Sequence, residues 1–348
     1  MMEQETTKNA VPITRFDLDA LPVRHRFQTW KESISVIFDV SLFPDDHWQA
    51  FSSRLTTVHL GSQLLSNAVS CRQQFKRSPK LLAQDGIDHF LLQIYRCGRN
   101  TGVCGGKPFD ARPGDVFLLD LSQPLETQVD DFDNFTLVIP RSLLCRYLPN
   151  PEYLHGRLLK RESPLAQLLK EHLFSLWNIA PNVGVREAQA ISEGVSALVA
   201  AYFGQLAVPE NLPEVKTATV SAIRQYIAQN LSHPDLTPDE LAVRFQVSRT
   251  QIYRLFAPFG GVARYVRDER LKWCFIQLSH SGNRELRVVD IALAAGFSDE
   301  SHFSRLFKQT FGVSPRDVRH DMNLALLPAS ATGELVDRSY EEWLKRLG

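Results

Sequence analysis

The sequence predicts an α+β protein of two domains: a small β-barrel or sandwich with flanking helices, then an all-α domain built from two helix–turn–helix units. Three observations carry this. Short apolar strands recur at near-regular spacing between about Phe51 and Val138. A helix–turn–helix pattern occurs twice in the last third of the chain, about 50 residues apart. Between these regions lies the Pro-punctuated stretch Val208–Glu214, the best domain boundary. A length of 348 residues suits two domains better than one.

Residues 1–20 are expected to form a polar N-terminal segment, with Phe16 and Leu18 packing locally at most. Residues 21–207 form the first domain. From Val23 to Val36, Phe27, Trp30, Ile34 and the adjoining Ile37 recur at the helix period, predicting a short helix. Strands are expected at Arg54–Leu60, ended by Gly61, and at Phe90–Tyr95. Pro113-Gly114-Asp115 signals a turn before Val116–Leu119, and Phe135–Ile139 closes the set. From Pro164 the period changes. Leu165, Leu168, Leu169, Leu173 and Leu176 mark one amphipathic helix; Ala188, Ile191, Val195, Leu198 and Tyr202 mark a second. That helix pair either packs on the strands or offers an apolar face to a partner subunit. Residues 208–216 form the linker, 217–321 the second domain and 322–348 a tail ending in a short helix with Tyr340, Trp343 and Leu344.

The composition, 44% hydrophobic and 22% charged, is that of a soluble globular protein, and no apolar run is long enough to cross a bilayer. The N-terminus lacks the apolar core of a secretory signal. Five cysteines without a C-x-x-C pair suggest reduced thiols and a cytoplasmic location. Net charge is zero, but Glu214–Asp321 carries 15 Lys and Arg against 12 Asp and Glu, leaving 24 against 27 elsewhere. The bias has the sign that nucleic-acid binding requires, and it is mild.

The repeat supplies the chemistry. Leu241-Ala242 answers Ile291-Ala292 at an offset of 50, Arg254-Leu255-Phe256 answers Arg305-Leu306-Phe307 at 51, and Phe259-Gly260 answers Phe311-Gly312 at 52. In the first copy Thr237, Pro238, Asp239 and Glu240 start a helix, and Ser248 caps the next. With Ile252, Leu255 and Phe256 inward, Arg249, Thr250, Tyr253 and Arg254 face outward, where a recognition helix meets base edges and phosphates. In the second copy Gly296 ends a helix, Phe297 fills the gap between the two helices, and Ser298 or Asp299 caps the next. There Phe303, Leu306 and Phe307 pack inward, leaving Glu300, Ser301, His302 and Arg305 outward. Arg305 is the best candidate for guanine; Lys308 and Arg316 suit phosphate. A connecting helix over Ala263–Leu278, about 24 Å long, can hold two recognition helices near the roughly 34 Å spacing of successive major-groove segments.

At Ile291-Ala292, Gly296-Phe297-Ser298-Asp299, Ser301 to Lys308 and Gly312-Val313-Ser314-Pro315, the chain closely resembles the AraC/XylS family of bacterial transcription regulators. The first copy fits as well, including Gly260-Gly261 and Arg270-Leu271. The resemblance implies two recognition helices in adjacent major-groove segments, an asymmetric site and, commonly, activation. It places Thr250, Tyr253, Arg254, Glu300, Ser301 and Arg305 where such proteins contact DNA. Pro258, which shortens the first recognition helix, and Val318, where an aromatic is usual, depart from the pattern. Residues 23–205 resemble, more weakly, the cupin-like ligand-binding and dimerisation domain of one branch of the family, through Phe27–Trp30, Asp88–Leu92 and Pro113–Asp115 with Leu118–Asp120.

The expected function is therefore a sequence-specific, effector-responsive activator, not an enzyme. The alternative is a regulator controlled by a partner or by nothing, without a small ligand. Double-stranded DNA is the expected partner and a homodimer the expected assembly, with RNA polymerase and a small effector as further candidates and no membrane role. Trp30, Arg54, Arg72 and Arg96 are candidate effector contacts, the arginines suiting an anion. No cofactor or metal is expected, because His47, His59, His89 and His155 are scattered without H-x-H spacing. Cys97 and Cys104 make only a thin case for an activated thiol.

Overall fold

The computed structural model describes residues 10–148, 151–207, 214–233, 236–279, 286–311, 313–320 and 336–347. The proline-rich part of the predicted linker, Gly312 of the family motif and the first part of the tail lie outside the described residues. Two compact units result. The first comprises the described residues up to Arg77, from Ile87 to Ala207 and from Val336 onward. The second comprises Ser78–Gly86 and the described residues from Glu214 to His320.

The first unit contains strands β1 (Ile13–Asp17), β2 (Asp39–Ser41), β3 (Ser53–His59), β4 (Leu64–Ser70), β5 (Gln73–Arg77), β6 (Phe90–Cys97), β7 (Asn100–Cys104), β8 (Lys107–Ala111), β9 (Val116–Asp120), β10 (Leu125–Val129), β11 (Phe132–Ile139) and β12 (Arg157–Leu159). Helix α1 (Val23–Ile34) precedes β2, and α3 (Arg141–Leu144) follows β11. The helix pair is α4 (Pro164–Ile179) and α5 (Val185–Ala207), and the C-terminal helix is α13 (Ser339–Arg346). All pairings are antiparallel. Seven strands form one sheet in the order β1-β3-β4-β11-β6-β9-β12 and five form another, β2-β5-β10-β7-β8. Among the described residues the strands bond as two facing sheets, the sheet-rich architecture expected of the first domain.

The seven-stranded sheet is buried on both faces, which is why its central strands read as apolar runs. Phe90, Leu92 and Ile94 of β6 pack with Leu169, Leu173, Val195 and Phe203 of the helix pair. Leu91 and Tyr95, on the other face, pack with Val40, Phe75 and Leu125 of the five-stranded sheet. The helix pair therefore covers the sheet, as one of the two sequence readings had it, while Leu168, Ile179 and Val185 remain exposed.

Two elements differ from expectation. Residues 13–17 are an edge strand in register with β3, Ile13 opposite Val58 and Asp17 opposite Arg54, and Phe16 and Leu18 are core residues. The domain therefore begins before residue 21; a five-residue strand is too short for its alternation to register as a pattern. Within the stretch read as strands lies a helix, α2 (Pro79–Asp85). Ser78 caps it, Pro79 opens it and Gly86, at φ 64°, ends it, all legible start and stop signals. α2 belongs to the second unit, where Ala83 is buried among Leu271, Cys274 and Phe303.

The second unit otherwise consists of α6 (Glu214–Gln229), α7 (Pro238–Arg244), α8 (Arg249–Phe256), α9 (Val262–Ser279), α10 (Val288–Ala294), α11 (Glu300–Phe311) and α12 (Pro315–His320). Leu271, Cys274, Phe275 and Leu278 turn one face of α9 into the core under the second repeat, where Phe303, Phe307, Phe311 and Val318 meet it. The five cysteines lie outside any disulfide; burial pushes the Cys104 and Cys274 thiols up to about 12, far from a reactive thiolate. Among the described residues no cluster of His, Cys, Asp or Glu could hold a metal, and no helix is long and apolar enough to cross a membrane.

One buried carboxylate ties strand to helix in the first unit. Asp120, 0% exposed, pairs with Arg141 and accepts from Ser122 N (2.8 Å) and Gln123 Nε2 (3.0 Å). Burial alone would raise its pKa, but Arg141 and these donors outweigh it and hold the group at about 2. Its stabilisation is complete above the ordinary carboxylate range and fades as pH falls from about 4 towards 2. Asp120→Asn should cost about 2 kcal/mol at pH 7, and its gap from the native protein in urea midpoint should close between pH 5 and pH 2. A gap that stays constant across that range would show that Asp120 does not titrate with folding.

Candidate functional site

Each copy of the repeat is a helix, a tight turn and a second helix, with equivalent turn bonds. Val247 N donates to Ala242 O (3.0 Å) and Phe297 N to Ala292 O (3.0 Å), 50 residues apart. Such a closure needs a left-handed residue. Gly296 supplies it at φ 82°; its counterpart Gln246 adopts φ 52° and is the one non-glycine with positive φ among the described residues. The second turn is one residue longer, matching the drift in the sequence offsets.

Caps then aim the recognition helices. Ser248 Oγ accepts from Gln251 N (3.2 Å) while Gln251 Oε1 accepts from Ser248 N (2.7 Å), a reciprocal pair that starts α8. In α11 the cap is Asp299, whose Oδ1 accepts from His302 N (2.9 Å); the bonds from His302 and Ser301 hold its pKa below the usual carboxylate value. α8 stops at Phe256 and a single 3-10 turn, Ala257–Phe259, follows, whereas α11 runs on to Phe311. The proline-bearing copy thus presents the shorter reading helix.

Ile252, Leu255 and Phe256 are buried in the first copy, and Phe303 and Phe307 in the second. Leu306 and Phe297 are half-buried, Phe297 lying 5.1 Å from the Phe303 ring. All ten proposed DNA residues are exposed: Arg249, Thr250, Tyr253 and Arg254 on α8; Glu300, Ser301, His302, Arg305 and Lys308 on α11; Arg316 on α12. Arg249 leans on Tyr253, donating to its Oη (3.3 Å), and pairs with Asp239 (3.2 Å). Arg254, Arg305, Lys308 and Arg316 make no ion pair among the described residues, so their charge is available to an anion.

Between the copies, α9 spans 18 residues, about 27 Å. Arg270, midway along it, donates Nε to Leu231 O (2.9 Å), Nη2 to His233 O (2.6 Å) and Nη1 to Gly296 O (3.2 Å). One guanidinium therefore joins the end of α6 to the second turn. A Cβ on Gly296 would come within 2.9 Å of Arg270 Cζ.

The first unit holds a cavity of about 110 Å³ between its sheets. Trp30 lines it, together with Thr57, Ser66, Gln93, Asn100 and Asn134, and with Tyr340 and Leu344 of α13. Arg54, Arg72 and Arg96 do not line it. Arg54 lies on the outward face of β3, opposite in pleat to Leu55 and Thr57. Arg72 pairs with Asp46 through Nε (2.7 Å), and Arg96 pairs with Asp133 while stacking on Phe135 at 5.3 Å. The neutral polar lining residues escaped the sequence because a Thr, Gln or Asn in a strand gives no motif; alternation with apolar neighbours was the available signal. The histidines are dispersed: His89 bonds Leu344 O, His155 accepts from Asp120 N and bonds Pro124 O, and His59 meets the Trp343 ring.

Two family models match, the AraC-binding-like domain over residues 32–203 and a helix-turn-helix domain over residues 241–321. The chain belongs to the AraC family. Among AraC-family relatives, the transcriptional activator NphR of Rhodococcus sp is 27% identical over 244 residues, 69% of this chain and 72% of that protein. The transcriptional activator RhaS of Escherichia coli is 41% identical over 83 residues, 23% of this chain and 29% of that protein. The crystal structure of the AraC-like transcriptional activator CuxR superposes with a TM-score of 0.53 and 25% identity, covering 82% of this chain and all of that one.

The two turns of this AraC-family repeat generate a prediction. Gly296→Ala places a side chain at positive φ and against Arg270, and should cost about 2 kcal/mol; Gln246→Gly relieves strain and should gain up to about 1 kcal/mol. Urea unfolding of the two variants checks this. Equal and negligible shifts would show that neither turn is under conformational stress.

Proposed function

We propose that the protein is an effector-responsive transcription activator that reads an asymmetric DNA site through both recognition helices. The observation that carries this is the combination of a repeated frame with unlike outward faces: Arg249, Thr250, Tyr253 and Arg254 on one, Glu300, Ser301, His302 and Arg305 on the other. Similar frames enter the groove similarly; different side chains then read different bases. Arg305, exposed one turn into α11 and without an ion pair among the described residues, suits guanine O6 and N7, and Glu300 suits a cytosine amino group. Lys308 and Arg316 are assigned to phosphate, which sets register without reading sequence.

The remainder of the reading rests on the first unit. The cavity lining contains no carboxylate, histidine, lysine, arginine or cysteine, which supports ligand binding without turnover. NphR, RhaS and CuxR are all described as activators, which supports activation here, with RNA polymerase as the partner that activation requires. The exposed apolar positions of the helix pair, Leu168 at 56%, Ile179 and Val185, support assembly as a homodimer. A double-stranded DNA partner and cysteines outside any disulfide support a cytoplasmic location.

Genome-wide footprinting with and without candidate effectors tests the whole reading. Arg305→Ala should weaken the specific site by about 1–3 kcal/mol and relax discrimination at one base pair; an equal loss on random DNA would reassign Arg305 to phosphate. Leu168→Glu should shift the protein from dimer to monomer in sedimentation. An unchanged dimer would leave α4 a covering helix only.

A further inference from the structure

We propose that the cavity of the first unit takes a neutral, ring-sized ligand carrying an N–H or O–H donor, held by the side-chain oxygens of Asn100 and Asn134 beneath the C-terminal helix α13. This rests on the effector reading above and names the chemistry that reading leaves open.

Size and polarity come from the walls. Trp30, Phe38, Phe75, Tyr95, Phe132 and Tyr340 line the space, which suits a flat ring. An apolar cavity of ~150 Å³ accepts benzene, and this one measures about 110 Å³, so a single small ring is the upper limit while Tyr340 and Leu344 stay in place. No charged side chain lines it, so an ionised ligand would lose its water without gaining a counter-charge.

The requirement for a donor comes from two orphaned acceptors. Asn100 and Asn134 are 2% and 4% exposed, and the Oδ1 of each has no hydrogen-bond partner. Asn100 Nδ2 donates to Tyr95 Oη (3.4 Å), so the oxygen is the end left unmet. Other polar groups of the lining have protein partners: Thr57 Oγ1 bonds Ser66 Oγ (2.9 Å), Gln93 Nε2 donates to Thr136 Oγ1 (3.0 Å) and Trp30 Nε1 donates to Gln73 Oε1 (2.7 Å). Asn134 sits where the register of β11 against β6 shifts, the kind of irregularity that re-aims a side chain. Buried acceptors of this kind in a roomy apolar cavity call for a donor from the ligand.

The roof comes from far along the chain. α13 presents Tyr340 and Leu344 to the cavity. Tyr340 Oη bonds Ser33 Oγ (2.5 Å), His89 Nε2 donates to Leu344 O (3.0 Å), and Trp343 meets His59 edge-on at 5.2 Å. The tail helix is thus part of the binding site and sets its size.

Thermal shift and calorimetry on the full chain test this with aniline and benzyl alcohol as neutral donors, anisole and acetophenone as acceptor-only rings, and benzoate as an anion. The donors should bind and raise the melting temperature; the other rings should not. Asn134→Leu should weaken donor binding about tenfold while the free variant melts no lower than the native protein, because an unmet polar group has been removed. Tyr340→Ala should admit two-ring donors that the native protein rejects. Benzoate or acetophenone binding as well as the donors, or Asn134→Leu binding them undiminished, overturns the ligand class and leaves the cavity as an effector site. If no ring stabilises either the native protein or Tyr340→Ala, and footprints do not respond to any compound, the effector reading fails as well.

Discussion

Arg270 is the interaction on which the DNA-reading unit depends. Its guanidinium faces three backbone carbonyls, Leu231, His233 and Gly296, and no carboxylate. Burial lowers its pKa from the ordinary value, yet the group remains charged because three oriented carbonyls replace its lost water. A planar fork can reach three acceptors on two separate segments; a lysine at this place would make a point contact. The close approach also explains why Gly296 has no room for a Cβ. The turn that aims α11, the position of α9 and the end of α6 are thereby one mechanical unit.

The first unit uses the same device. Arg77 is wholly buried and donates to Leu121 O (2.5 Å), Ile37 O (2.7 Å) and Ile87 O (2.8 Å). Residues 77 and 87 flank the segment that carries α2, so this cage fastens its two ends together. In both units main-chain carbonyls gather around a guanidinium, wholly buried at Arg77 and half-buried at Arg270, which fixes loop geometry.

Charge is distributed by task rather than by total. The chain has zero net charge, yet the second unit carries Arg254, Arg305, Lys308 and Arg316 outside any ion pair among the described residues, while the cavity lining is free of charge altogether. Arg72 and Arg96 answer Asp46 and Asp133 on the surface of the first unit. A net-charge argument would have missed the nucleic-acid face, and a count of arginines would have put charge where the cavity lining has none.

Much of the second unit was legible. Its helices are amphipathic at the helix period, their caps are Thr237 and Ser248, and a duplication lets each copy check the other, so inward and outward residues follow from the sequence alone. In the first unit the central strands showed as apolar runs, but β1 did not, because a short edge strand gains its order from a partner distant in sequence; α2 of the second unit carried its cap signals inside a stretch read as strands. What the sequence by itself determined is the repeated frame, its outward residues and thus the kind of partner it reads, since helix periodicity and capping are local. Only the tertiary structure decided which residues line the cavity, that α13 roofs it and that Arg54, Arg72 and Arg96 stay outside. A cavity is formed by side chains from two sheets and two helices, and pleat direction, register and the return of a tail are settled by packing across hundreds of residues.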